Sequence, residues 1–181
     1  MTGDAILTGL HILFATIWVG PQLLVAVAVV PALRGIDDER ARLEAIQRFA
    51  RRFNLVAWPA MLGLVITGGI KLADRLDEVR DAARALGGDT IYDVRWGYIF
   101  DVKIGMVIVA VALVALHSFV IGPRLVALQR RTLERAEAGA PAEVQALRKW
   151  SMALAGGGLL LSILVVIAAG FLAEDFALQG I

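Results

Sequence analysis

Residues 5–33, AILTGLHILFATIWVGPQLLVAVAVVPAL, decide how the chain is read. The run contains no Asp, Glu, Lys or Arg and exceeds the roughly 20 residues a helix needs to cross a bilayer. Within it His11, Trp18 and Gln22 stand at i, i+7 and i+11, which puts all three on one helical stripe. A histidine facing hydrocarbon is costly, so the stripe is expected to face a protein interior. Pro21 removes the hydrogen bond to the Ile17 carbonyl and is the expected kink.

Three more apolar runs follow, at about 55–71, 99–121 and 152–172, and 59% of the 181 residues are hydrophobic. The expected fold is an all-α membrane protein of one domain, 1–181, with four transmembrane helices in an up-down-up-down bundle. With no cysteine, disulfides, iron–sulfur clusters and thiolate chemistry are excluded. A net charge of +1 argues against a nucleic-acid partner. The partner to expect is the lipid bilayer. The N-terminus lacks the positive flank of a signal peptide, so the first helix is read as retained.

Between the spans, Leu43, Ile46, Phe49 and Phe53 repeat at helical spacing, so 34–53 reads as a water-exposed extension of the second helix. Leu72, Leu76, Val79, Ala83 and Leu86 mark a short amphipathic helix in the loop 72–98, stopped by Gly87-Gly88. Gly122-Pro123-Arg124 is expected to close the third span, and Gly139-Ala140-Pro141 to interrupt the helical loop 124–149. No internal repeat stands out.

Charge sets the expected orientation. Segment 34–53 holds six arginines against four acids, and 124–149 six basic residues against three acids. Segment 72–100 holds four arginines against six acids. The positive-inside rule then places 34–53 and 124–149 in the cytoplasm and both termini and the loop 72–100 outside, in the inner (plasma) membrane as a multi-pass protein.

Depth follows from orientation. His11 falls about 10 Å below the outer surface, and His117 about 10 Å above the cytoplasmic one. One heme clamped by the two histidines is therefore rejected, because they stand roughly 15–25 Å apart along the normal. Lys103, Met106, Ala110 and His117 share an inward stripe of the third helix, and Lys103 has the depth of His11. A buried lysine amine can be neutral, and so act as ligand or proton carrier. The plainer alternatives are a hydrogen bond from His11 to a neighbouring helix, and a Lys103 that snorkels to the interface beside Asp101.

Leu10-His11-Ile12 through Trp18-Val19-Gly20 resembles the first helix of the membrane family that contains copper-resistance protein D and the HemJ-type protoporphyrinogen oxidase. The third helix, Asp101-Val102-Lys103 through Leu116-His117, is similar to the HemJ pattern of a lysine followed about fourteen residues later by a histidine. Arg52-Phe53 and Thr67-Gly68 resemble the copper-resistance side of the family. This chain lacks the arginine-leucine pair that usually follows the first helix's tryptophan, and has Gly20-Pro21-Gln22 there instead. The resemblance implies a four-helix protein that holds heme b, with His11 as axial ligand and Lys103 as second ligand or essential neighbour. It also implies electron transfer or oxidoreductase chemistry with quinone or a membrane redox partner.

On this reading Trp18, Gln22 and Met106 line the cofactor site, and Lys71, Arg75 or Arg95 could meet heme propionates. Copper handling is an alternative, through His117, Met61 and Met152, all in the cytoplasmic half. A non-catalytic subunit or assembly factor is another, packing or forming a homo-oligomer through small-residue faces at Gly63, Gly105 and Gly156. Hydrolase signatures are absent: the chain has no Gly-x-Ser-x-Gly, His-Glu-x-x-His or P-loop pattern.

Overall fold

The structure, a computed structural model, describes residues 2–135 and 141–180. Four helical units among them are long and apolar enough to cross a membrane: Gly3–Arg34, Glu39–Ala85, Arg95–Glu134 and Ala142–Ala173. The first comprises α1 (Thr2–Leu24), a π-helical turn (Val25–Val29) and α2 (Val30–Arg34). The second is the single helix α3 (Glu39–Ala85). The third comprises α4 (Arg95–Leu116), a π-turn (His117–Ile121) and α5 (Gly122–Glu134); the fourth is α6 (Ala142–Ala173).

The outside of the bundle is as apolar as its interior, unlike that of a water-soluble bundle. Leu55 is 75% exposed and Val27 68%, whereas Thr67 and Ser162 are buried. Each buried hydroxyl is satisfied by the carbonyl one helical turn back, Thr67 to Gly63 at 2.7 Å and Ser162 to Gly158 at 2.8 Å. An outer face of Leu, Ile and Val, with the backbone satisfied inside helices, suits lipid contact.

Pro21 lies within α1, which is α-helical to Leu24, and a π-turn follows at Val25–Val29, ahead of Pro31. Two local expectations need correction. Gly122-Pro123-Arg124 does not close the third unit, which runs on to Glu134. The amphipathic stretch after residue 71 is not a separate helix but the last part of α3, because no breaker intervenes before Gly87. Gly139 and Ala140 lie outside the described residues.

The end of α3 shows why Gly87 stops it. Gly87 takes φ +83°, Gly87 N–H donates to the Arg84 carbonyl, and Gly88 N–H to the Ala83 carbonyl. That is the Schellman arrangement, in which a left-handed residue turns the chain back over the last carbonyls. At its start, Asp38 caps α3 by accepting from the Arg40 and Ala41 N–H groups.

The two π-turns share a cause. In each, the residue before a proline donates across five residues, Val30 N–H to Val25 O and Gly122 N–H to His117 O. The widened turn lets the proline enter the first turn of the next helix, where its missing N–H and fixed φ do little harm. The interval from Pro31 to Pro123 equals that from Val25 to His117, and also that from His11 to Lys103. Units one and three are thus built on one backbone plan, although their side chains differ. His11 and Lys103 hold equivalent places in it.

One end of the bundle carries a cap. Residues 175–178 form a 3-10 turn, and Val94 pairs with Gly180 in an antiparallel bridge. Val79, Ala83, Val94, Trp96, Leu172 and Ala177 form a core there, drawn from α3, the loop before α4, α4, α6 and the C-terminal segment. Trp96 and Phe100 stack at 4.8 Å within it.

Candidate cofactor site between the first three spans

His11 on α1 faces α3. Its Nδ1 lies 2.7 Å from Thr67 Oγ1, and the Thr67 hydroxyl has one proton, which it gives to the Gly63 carbonyl. Nδ1 is therefore the donor to Thr67, which leaves the lone pair of the neutral ring on Nε2. Gly68 sits against the same ring: a Cβ there would lie 3.3 Å from His11 Cε1. Thr67-Gly68 thus supplies both the partner that fixes the imidazole and the room for it.

Two amines join the ring. Lys71, one turn along α3 from Thr67, donates from Nζ to Thr8 Oγ1 at 2.6 Å. Lys103 on α4 is half-buried, and no hydrogen bond or ion pair reaches it among the described residues. Lys71 and Lys103 lie close enough for their charges to act on His11, and Lys71 on Lys103. Asp101, which could have drawn Lys103 to the surface, accepts instead from the Tyr92 hydroxyl at 3.0 Å. One imidazole and two amines from three helices converge here.

Trp18 and Gln22 lie deeper on the stripe and belong to a separate polar group. Trp18 Nε1 donates to Ser162 Oγ on α6 at 3.3 Å, and Gln22 Nε2 donates to the Trp18 carbonyl at 3.0 Å. Trp18 also meets Trp58 edge-on at 6.1 Å, and Trp58 meets Phe119 at 5.1 Å. Trp58 Nε1 is buried with no hydrogen-bond partner among the described residues. Met106 is half-buried on the Lys103 stripe.

The other candidates stand apart. Arg95 binds the C-terminal cap, its guanidinium donating to Gln179 Oε1 at 3.0 Å and its backbone N–H to the Gln179 carbonyl. Arg75 pairs with Glu78 on its own helix. His117 Nδ1 lies 3.4 Å from Ser151 Oγ on α6. Met61 is packed with Trp18, Ala57 and Val114, while Met152 is 55% exposed. Of the glycines read as packing positions, Gly63 holds the Phe14 ring, whereas a Cβ added at Gly105 or Gly156 would meet nothing within 4 Å among the described residues. Among the described residues no three His, Cys, Asp or Glu side chains converge as a metal-binding group.

Outside the spans, the loop from α3 to α4 is held by Asp93. Its Oδ2 accepts from the Thr90 N–H at 2.7 Å, the Asp89 N–H at 3.0 Å and the Thr90 hydroxyl at 3.0 Å. These bonds, the Thr90 backbone first, hold its carboxyl below the usual carboxylate range. The bond to Asp101 pushes the Tyr92 phenol up.

No protein-family model, no curated protein and no solved structure matches this chain.

Sequence reasoning singled out His11 and Lys103 but missed Thr8 and the role of Thr67. Thr67 and Lys71 stand at i and i+4, one face of one helix, and that spacing was the available signal.

Proposed function

We propose that this chain is a b-type heme protein of the plasma membrane that serves electron transfer or an oxidoreductase. The observation that carries the reading is the Nδ1–Thr67 bond, which leaves His11 Nε2 as the open donor. Metal-ligating histidines characteristically give their second ring nitrogen to a fixed partner, which sets the tautomer and the ring's orientation. The donor set fits the group. His11 would supply the axial nitrogen; Lys103, with no hydrogen bond or ion pair among the described residues, would be second ligand or close neighbour. Lys71 would meet a propionate carboxylate. Bound there, heme would supply one-electron chemistry. The chain's own part is to fix the imidazole, bring positive charge to the carboxylates and exclude water with the apolar walls of α1, α3 and α4. Quinone or a membrane redox partner would exchange the electrons.

The accompanying topology is up-down-up-down, with both termini and the loop 86–94 outside. Its support is the pairing of His11 with Thr67 and of Trp18 with Trp58, which aligns rising numbers in α1 with falling numbers in α3. The arginine excess in 34–53 and 124–149 supports the orientation.

The test is the visible spectrum of detergent-purified protein, oxidised and dithionite-reduced, beside His11→Ala. A Soret band that sharpens on reduction and is lost in the variant supports the reading. A colourless protein, expressed with ample heme, overturns it. The competing role as a non-catalytic subunit draws on Gly105 and Gly156, which are open to close approach by another helix. It is favoured if the protein is colourless and co-purifies with a stoichiometric partner.

A further inference from the structure

At the arginine-rich end of the bundle, the first turns of α3 and the last turns of α5 enclose a cleft of about 430 Å³. Arg40, Arg48 and Arg51 reach it from α3 and Arg130 from α5, over a floor that includes the buried Leu43. Two glutamates line it as well. Each is tied to an arginine of its own helix, Glu44 to Arg48 at 3.1 Å and Glu134 to Arg130 at 3.4 Å. Arg40 and Arg51 have no ion pair among the described residues.

We propose that this cleft is a binding site for a phosphate-bearing anion, held between α3 and α5 by Arg40, Arg51 and Arg130. Every cation lining it is an arginine, whose planar fork matches phosphate oxygens two at a time. Four guanidinium groups face two carboxylates, so the cleft keeps positive charge after its internal pairs are counted. Those pairs are exposed i,i+4 contacts, which contribute little, and yield readily to a doubly charged ligand. The volume falls within the range of small-molecule sites, and Leu43 with Leu133 gives an apolar wall for the part of the ligand that carries the phosphate.

The phosphate could come from a soluble molecule or from a lipid headgroup. Along α3, Arg51 lies about 6 Å and Arg40 about 22 Å from Leu55, where the apolar run begins. The headgroup layer adds only about 5–8 Å on each side of the hydrocarbon, so a lipid phosphate reaches Arg51 and a soluble one reaches the whole cleft.

The experiment is calorimetric titration of the purified full-length protein in detergent with sodium pyrophosphate at constant ionic strength. It is paired with melting of the protein in nanodiscs of phosphatidylglycerol or phosphatidylcholine. Saturable pyrophosphate binding, weakened about tenfold in Arg40→Gln and in Arg51→Gln but unchanged in Arg84→Gln at the far end of α3, supports the site with a soluble source. Stabilisation by phosphatidylglycerol that disappears in Arg51→Gln, without pyrophosphate binding, supports it with a lipid source. Neither effect, or effects that survive the Arg40→Gln/Arg51→Gln double variant, overturns the proposal. The heme spectrum is read separately, so the two assignments stand or fall independently.

Discussion

The Thr67 hydroxyl stands between His11 Nδ1 and the Gly63 carbonyl, 2.7 Å from each, and so couples the imidazole of the first span to the backbone of the second. Its single proton decides the direction of both bonds: Thr67 gives to Gly63 and receives from His11. Thr67→Val keeps the shape and removes both. If His11 carries an axial bond, cofactor affinity should fall about 10–100-fold, the usual cost of losing a ligand's supporting partner. Thr67→Ser should restore it. Heme titration followed at the Soret maximum makes the comparison, and equal affinity in Thr67→Val and the parent protein would detach Thr67 from the ligand role.

Gly63 is a packing position, not merely a small residue. A Cβ there would come within 2.6 Å of the Phe14 ring on α1, too close for both to stay where they are. Gly63→Ala should cost about 1–3 kcal/mol, the usual penalty for overpacking. Gly105, with open space around it in the chain, is the control: Gly105→Ala should leave the melting temperature in detergent nearly unchanged. If Gly105→Ala instead breaks an oligomer on size exclusion, the helix face it occupies joins two copies.

Asp93 makes the loop between α3 and α4 sensitive to acid. Its carboxyl is held below the usual carboxylate range by the Thr90 and Asp89 donors, so it binds a proton more weakly when folded than when unfolded. Its contribution is thus fully present above the unfolded value and is lost as pH falls through the depressed folded one. Amide exchange at Asp89 and Thr90 should be slow near pH 6 and accelerate, relative to intrinsic rates, below about pH 4. Asp93→Asn should exchange rapidly at both. Protection in Asp93→Asn equal to that of the parent would mean the carboxylate does not hold the loop.

What the sequence could disclose here was whatever depends on one helix at a time. Four apolar runs, the inward stripe of Lys103, Met106 and His117, and the common level of His11 and Lys103 all follow from helical geometry alone. The partner of His11 does not, because register between helices is set by side-chain packing, here by Phe14 against Gly63. Thr67 therefore read only as half of a family-like Thr-Gly pair, and Lys71 only as a candidate propionate partner. One helix end reads wrongly from the sequence because of a proline: Pro123 carries the punctuation of a break, yet a π-turn before it, like the one before Pro31, lets the helix continue. That adjustment is a backbone choice with no side-chain signature beyond the proline itself.

Trp18 and Trp58 offer a paired test of the aromatic interior. Both indoles lie in one cluster with Phe119, but Trp18 Nε1 donates to Ser162 while Trp58 Nε1 is buried without a partner among the described residues. A buried unpaired donor costs about 1–3 kcal/mol, so Trp58→Phe removes a liability as it shrinks the ring, and the two effects offset. Trp18→Phe loses ring volume, loses a bond and leaves Ser162 Oγ with one acceptor site empty. Thermal unfolding in detergent should therefore rank Trp18→Phe as the more damaging change, by about 1–2 kcal/mol. Ser162→Ala should reproduce part of the Trp18→Phe loss and none of the Trp58→Phe effect. If instead Trp58→Phe proves the costlier variant, its N–H has a bound partner in the membrane, and the indole becomes a contact for whatever occupies the bundle beside it.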